Sequence, residues 1–344
     1  MTQLKQLSVI IPVFNEAETL PVLLNDLKRQ QDIDLDVVVV DGGSNDNTKT
    51  IAEKLGARVF DCKKGRALQL NAGAQAARCA DLLFLHADSS LTDDFLLSNA
   101  YSYWQSFEGA QIAGHFALDF VQSGRRHQAA FRYLSEKSAS NRPFTINGDQ
   151  GLLISRQFFQ SLGGYNVTMP IMEDQVIANE IFKAGRWIVL PGCLNTSGRR
   201  FEREGFHRRY ILMSLMMGLY WTGAHQFFIR AKNIYVDQQD AEKLKLWPFF
   251  ICIWQMLIND FGFKKSLVQW FKVGRYVRQN AWQLFFMTDV SLRKLLGPNK
   301  YPFTRFYDKV IYLLTSNSVV DVMITPIVFI WFMLILGPFF FLFD

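Results

Sequence analysis

The sequence predicts an α/β domain with a parallel sheet, followed by a basic helical region rich in aromatic residues. Three observations carry this expectation. Apolar runs of strand length alternate with stretches of helical period through the first hundred residues. Residues 1–200 hold 20 Lys+Arg against 21 Asp+Glu, whereas residues 201–344 hold 17 against 10. The second stretch also contains 32 of the 50 aromatic residues. With 49% hydrophobic residues over 344 positions, the chain is neither disordered nor collagen-like nor a disulfide scaffold. Its length allows one domain plus an appendage, or two domains.

The strands are read at Leu7–Val13, Leu35–Val40, Ala57–Phe60 and Leu82–Leu85. Helical spacing falls at Glu18–Arg29, Thr48–Leu55, Ala67–Ala77 and Asp93–Phe107. Strands apolar on both faces and separated by helices imply a parallel, doubly wound sheet. Such sheets bind their ligands at the carboxyl ends of the strands. Those ends carry Asn15-Glu16, then Asp41-Gly42-Gly43-Ser44, then His86-Ala87-Asp88. Asp46 and Thr92 read as helix caps. Asp41 and Asp88 read as site residues, because each ends a buried strand.

Further on, Ile112–Val121 reads as a strand. Asn147–Gly151 reads as a polar turn before the apolar Leu152–Ile154. Pro170–Gly185 reads as a loop entering a helix. Glu173 and Asp174 stand at that helix start, where the helix dipole favours carboxylates. The cysteines Cys62, Cys79, Cys193 and Cys252 form no CxxC or other close pair, which excludes metal-cluster and redox motifs. Scattered thiols fit a reducing compartment. The N-terminal apolar run lacks a signal-peptide cleavage site, so the bulk of the chain is expected to face the cytosol.

Taken in order, IIPVFNEAETL, VVVVDGGSNDNT, KGRALQLNAGAQAA, FLHADSSL, NGDQGLLISRQFFQSLGGY and Met172-Glu173-Asp174 resemble glycosyltransferase family 2 over about residues 7–205. The fold this implies is GT-A, a Rossmann-like nucleotide-sugar-binding domain. HAD, GDQG, MED and TSGRRFEREG are most similar to a bacterial subfamily associated with arsenosugar biosynthesis or radical-SAM/selenodomain proteins. The resemblance implies a nucleoside-diphosphate sugar donor held by Pro12, Asn15, Glu16, Asp41, Gly43 and Ser44. Lys64, Arg66 and His86 would lie near the nucleotide as well. His86-Ala87-Asp88 stands where the family has Asp-x-Asp. Asp88 would retain one ligand to Mg2+ or Mn2+, and His86 would contact the nucleotide rather than the metal. Asp174 would deprotonate the acceptor and Glu173 would place it, giving an inverting transfer. Asp149 and Gln150 would stand at the acceptor or donor-sugar edge. Arg199 and Arg200 would close over the diphosphate.

The basic tail needs its own account. Val322–Phe343 is uncharged, and 22 residues of helix span about 33 Å, enough for a bilayer's hydrocarbon core. Pro326 and Gly337-Pro338 interrupt it. Upstream cations at Arg293, Lys294, Lys300, Arg305 and Lys309 place that flank in the cytosol. Leu246–Ile258 is too short to span and suits an interfacial position. On a helical wheel Lys264, Lys265, Lys272, Arg275 and Arg278 fall within about 140°, with Trp270, Val273 and Val277 on the other side, as in helices that lie on anionic membranes. Tyr210–Gly223 is apolar nearly all round and fits a buried helix equally well. No nucleic-acid recognition motif is present, so nucleic acid is not an expected partner.

The expected organisation is a GT-A catalytic domain at 1–205 and a membrane-associating helical region at 206–344, at the cytoplasmic face of the inner membrane. The acceptor is unspecified and open to a lipid-linked one. Two other readings stand beside it: a polyprenyl-phosphate sugar synthase, and a non-catalytic nucleotide-sugar-binding scaffold.

Overall fold

The computed structural model describes residues 5–344 except Glu108, Ala110, Gln122, Ser123, Arg125, Pro170 and 239–242. Pro170, where the loop before the Glu173 helix was expected to begin, therefore lies outside the described residues. The chain separates into two compact units. The first comprises Met1–Arg125 and Leu134–Gly198, the second Arg126–Tyr133 and Arg199–Asp344.

The first unit is built on one eight-stranded sheet in the order β3-β2-β1-β4-β7-β6-β8-β5. Its opening half follows the expected alternation: β1 (Lys5–Val13), α1 (Leu20–Arg29), β2 (Ile33–Asp41), α2 (Thr48–Lys54), β3 (Arg58–Asp61), α3 (Arg66–Ala76) and β4 (Asp81–Phe84). These four strands are parallel, with Lys5 opposite Ile33 and Val13 opposite Asp41. Strand order reverses between β1 and β4, which opens a crevice at their carboxyl ends. The remaining elements of this half-chain are β5 (Ser90–Leu91), α4 (Leu96–Gln105), β6 (Ile112–Val121), α5 (Gln128–Ser138), β7 (Leu152–Ser155), α6 (Arg156–Ser161), α7 (Glu173–Ala184) and β8 (Arg186–Ser197).

The four strands expected to be parallel are parallel. The strands added after residue 110, whose direction the apolar runs leave open, make the complete sheet mixed. β7 runs antiparallel to both β4 and β6, while β6 and β8 are parallel. Strand direction is not encoded in apolar runs, because antiparallel and parallel strands buried on both faces look alike. Arg156, just after β7, anchors this return. Its guanidinium donates to the carbonyls of Ala74, Ala77 and Cys79 at 2.6–3.2 Å, filling the unpaired acceptors at the end of α3.

Alternate strand residues feed two apolar layers. Val9 and Ile11 pack with Leu20, Leu23 and Leu27 of α1 and Leu97 of α4. Ile10, Leu82 and Phe84 pack with Leu70 and Ala74 of α3 and Ile177 of α7. Each large side chain so buried stabilises the unit by about 1.5–3 kcal/mol relative to exposure. α3 sits unusually close to the sheet, because its Gly73 faces β1: a side-chain carbon there would stand 2.3 Å from Ile10 Cγ2.

The second unit is helical: α8 (Arg199–Glu204), α9 (Phe206–Trp221), α10 (Gln226–Asp237), α11 (Trp247–Gln255), α12 (Gly262–Gln279), α13 (Trp282–Ser291), α14 (Arg293–Leu296), α15 (Pro302–Phe306), α16 (Tyr312–Thr315), α17 (Ser318–Ile330) and α18 (Gly337–Phe343). Wide helical turns at Trp331–Leu336 join α17 to α18, so Ser318–Phe343 is one continuous 26-residue helix. Asn317 caps its start through the amides of Val319 and Val320. The helix is long and apolar enough to cross a membrane, and only 17% of its most apolar window is buried within the protein.

Gly73→Ala should destabilise the first unit by about 1–3 kcal/mol despite alanine's better helix propensity, because the added methyl overpacks Ile10 and Val40. Urea denaturation followed by circular dichroism measures this; an unchanged midpoint would contradict the close α3–sheet contact.

Candidate active site

The crevice opens where β1 and β2 end, with the Gly42 amide still donating to the Val13 carbonyl at 2.9 Å. Gln69, buried on α3, donates its amide to the carbonyls of Val13 at 2.8 Å and Val40 at 2.9 Å. Beyond this stitch the two chains diverge into turns. Asp41, 1% exposed, accepts the amides of Gly43 and Ser44 at 2.9 Å and the Ser44 hydroxyl. Gly43 has φ 90°, a conformation that suits glycine. Asn15, itself at φ 56°, donates its amide to Ser44 Oγ and accepts the Asn45 amide. The Glu16 amide meets Thr48 Oγ1, and its carboxylate accepts the Thr19 hydroxyl. Asn15, Asp41, Gly43 and Ser44 are therefore brought together as one hydrogen-bonded rim, with Glu16 bonded beside it to Thr48 and Thr19 and Pro12 still within β1 opposite Val40. Asp41 shapes the turn with both oxygens. The Lys64 ammonium lies 3.5 Å from the centre of the Phe14 ring.

A second cluster forms where β4 ends. The turn at Gly148–Gln150 is pinned from α7. The Gly148 amide donates to Asp174 Oδ2 at 2.9 Å, and the Gln175 amide to Asp174 Oδ1 at 2.8 Å. Gln175 also donates to the Ile146 carbonyl and Asn147 Oδ1. A side-chain carbon on Gly148 would stand 2.9 Å from His86 Nε2 and 3.4 Å from Asp174 Cβ, so β4's end, this turn and α7 converge closely there. Met172, at the start of α7, adopts φ 76°, a left-handed backbone that costs an unbranched residue on the order of 1 kcal/mol. That strain sits immediately before Glu173 and Asp174.

Charge is concentrated here. Burial raises the Asp149 carboxyl to a pKa of about 7, with the charges of Asp174 and Asp88 adding to the effect. Its Oδ1 is buried with no hydrogen-bond partner among the described residues. Burial also raises Glu173, opposed by Arg66, whose guanidinium lies 3.6 Å from the Glu173 carboxylate. Burial and the same two α7 carboxylates keep Tyr165 protonated. Asp88 is exposed at this edge. Gln150, by contrast, is fully buried and donates to the Thr145 carbonyl, which makes it an internal anchor of the turn. Arg199 and Arg200 belong to the second unit, exposed in the first turn of α8.

The donor set suits a hard divalent cation, which takes carboxylate oxygens and leaves ligand positions for phosphate. Among the described residues no group of three His, Cys, Asp or Glu could hold a metal unaided.

Gln69, Arg156, Tyr165 and Gln175 escaped the sequence reading. Their one signal is a polar residue on the apolar face of a helix, or beside a buried strand, where a hydrogen-bond partner is obligatory.

Residues 8–163 match the family described as Glycosyl transferase family 2. A PGL/p-HBAD biosynthesis glycosyltransferase of Mycobacterium tuberculosis is 31% identical over 176 residues, 48% of this chain and 66% of that protein. An undecaprenyl-phosphate 4-deoxy-4-formamido-L-arabinose transferase of Serratia proteamaculans is 27% identical over 228 residues, 63% of this chain and 66% of that protein. Among solved structures, a mannosyltransferase from Pyrobaculum calidifontis in complex with GDP-Man and Mn2+ superposes with a TM-score of 0.47 at 16% identity, covering 96% of this chain and 89% of that one.

Asp149→Asn should raise the melting temperature at pH 8 and leave it unchanged at pH 3. The folded carboxyl holds its proton to about pH 7, whereas the unfolded one loses it near 3.8. Between those values the folded state binds more protons, so stability falls as pH rises through the window. The amide removes that loss. Differential scanning fluorimetry across pH gives the measurement, and an equal effect at both ends would refute the buried-acid assignment.

Proposed function

We propose that the chain is an inverting glycosyltransferase, moving a sugar from a nucleoside-diphosphate sugar to an acceptor at the cytosolic face of a membrane. The observation that carries this reading is the convergence of Asp88, Asp149 and Asp174 beside the carboxyl ends of β1, β2 and β4. The matching family domain and the glycosyltransferase names of its relatives support it. The motifs quoted above are the support for the finer kinship with the arsenosugar-associated subfamily.

In this reading the residues have separate tasks. The rim of Asn15, Asp41, Gly43 and Ser44, with Glu16, holds the base and ribose with Lys64 beside it, and His86 meets the nucleotide from its place against the Gly148 turn. Arg66 stands at the start of α3, where a helix N-terminus and a guanidinium together favour a diphosphate. Asp174 is the general base. Each of its oxygens takes one backbone N–H, which fixes the carboxylate yet leaves lone pairs for a proton. It removes the acceptor's proton as that oxygen bonds to the anomeric carbon. The bond to the diphosphate breaks on the opposite face, and the diphosphate leaves with the electron pair. Glu173, paired with Arg66, orients the start of α7. Asp88 would hold Mg2+ or Mn2+, which would supply positive charge against the leaving diphosphate.

A polyprenyl phosphate is the second acceptor reading, favoured by the relative named as an undecaprenyl-phosphate sugar transferase and by the exposed apolar helix of this chain.

A panel of nucleoside-diphosphate sugars tested with Mn2+ for binding and slow hydrolysis is the direct test; no binding of any member would defeat the reading. Asp174→Asn should lower turnover by about 10²-fold or more with nucleotide affinity nearly unchanged, as expected for a lost general base. Turnover equal to the parent enzyme would reassign the base. Asp88→Ala should abolish the Mn2+-dependent part of nucleotide binding, measured by titration calorimetry with and without chelator. An affinity that responds to Mn2+ as before would remove the metal role.

A further inference from the structure

The first half of the apolar helix Ser318–Phe343 is bound to the most basic helix of its unit, α12, and its end to α11 and α9 through Phe340, Phe341 and Asp344. Asp321, 1% exposed, accepts from Arg275 at 2.9 Å and from Arg278 at 2.6 Å, and Arg278 is itself buried. One turn on, Thr325 lies against Gly274 so closely that a side-chain carbon there would be 3.0 Å from its Cα. Further along, the Trp270 ring meets Phe329 and Phe332 at 5.0 and 5.5 Å. The contacts run from Arg278 back to Trp270 as α17 runs from Asp321 to Phe332, so the two helices are antiparallel. Separating them would strand a buried ion pair, which is strongly unfavourable.

This pairing bears on how the helix meets lipid. If Ser318–Phe343 crossed a bilayer, its midpoint near Phe329–Phe332 would lie at the midplane, and Trp270 with it. Lys272 would then sit within about 3 Å of the midplane, and Lys264 and Lys265 within about 9 Å, all inside a hydrocarbon core about 30 Å thick. Ammonium groups at that depth are strongly disfavoured. A pose parallel to the surface has no such conflict. Trp270, Gly274 and Arg278 recur four residues apart and face α17, whereas Lys265 and Lys272 fall on the opposite side of α12. The same side of α12 as Trp270 also presents the exposed Phe263 and Leu267. The side bearing α17, Phe263 and Leu267 is apolar. The other carries the exposed Lys265, the exposed Val268 and Lys272, whose ammonium donates to the Thr222 carbonyl. Acyl chains therefore fit below, and the exposed lysine charge faces anionic headgroups above.

We propose that Ser318–Phe343 lies in the plane of a single leaflet, beneath α12, and does not cross the membrane. The occupant of its exposed face is lipid. The inference rests on the reading that the protein works at the cytosolic face of a membrane.

The test uses the full chain in two variants, Ser316→Cys in the exposed turn before the helix and a cysteine appended after Asp344. A membrane-impermeant maleimide is applied to intact spheroplasts and to everted vesicles, and labelled peptides are located by mass spectrometry. The expected result is a chain in the membrane fraction with neither added cysteine labelled in spheroplasts and both labelled in everted vesicles. Labelling of either one in spheroplasts means a crossing helix and overturns the proposal. A chain found in the soluble fraction also overturns it, and the face is then covered by protein, such as a second copy. Nucleotide-sugar turnover measured on the same material separates these outcomes from a failure of the glycosyltransferase reading itself.

Discussion

Everything at the candidate site depends on how two strand ends are closed. A parallel strand that stops inside a domain leaves carbonyls with no ladder partner, and buried carbonyls must be satisfied. Gln69 donates one amide group to the carbonyls of Val13 and Val40, and the Gly42 amide is a second donor to that of Val13. Because a side chain rather than a further strand closes the gap, the chains beyond are free to turn apart. Asn15, Asp41 and Ser44 then bond to one another and hold the turns in place. The close seat of α3 on the sheet puts Gln69 within reach, and the missing side chain at Gly73 permits that seat.

The second half of the site is held by a different device, a carboxylate reaching back across 26 residues. Asp174 accepts the Gly148 amide, so the turn containing Asp149 cannot move independently of α7. The consequence is electrostatic. Asp149 is pushed into a buried position beside Asp174 and Asp88, and its proton is retained far above the usual range. Carboxylates brought together at such cost, beside a left-handed Met172, are the kind of local strain that accompanies chemistry rather than packing. In the other unit the same logic serves anchoring. There a buried Asp321 shared by two arginines joins an apolar helix to a basic one.

Much of the fold could be read from the chain. The strands at Leu7–Val13, Leu35–Val40, Ala57–Phe60 and Leu82–Leu85 stand within two residues of their observed limits. Continuous apolar runs leave few other structures open to them. Helix starts were less legible. Glu18–Arg29 and Asp93–Phe107 begin two or three residues early, because capping residues and first-turn residues carry the same polar signal. Asp41 illustrates a finer limit. Its position at a strand end was legible, but its engagement with its own turn depends on the φ of Gly43, which periodicity does not report.

By itself, then, the sequence determined the alternation of strands and helices, the polar residues at strand ends, and the confinement of excess positive charge to an aromatic, apolar tail. These are local properties: each follows from side chains within one turn or one strand. Only the tertiary structure decided that β7 runs antiparallel, that Asp149 is buried between two other carboxylates, and that the apolar helix is bound to α12. Each of these joins residues far apart in the chain, and the free energy of such a contact depends on burial and on the partner's distance. Neither quantity exists until the chain has folded.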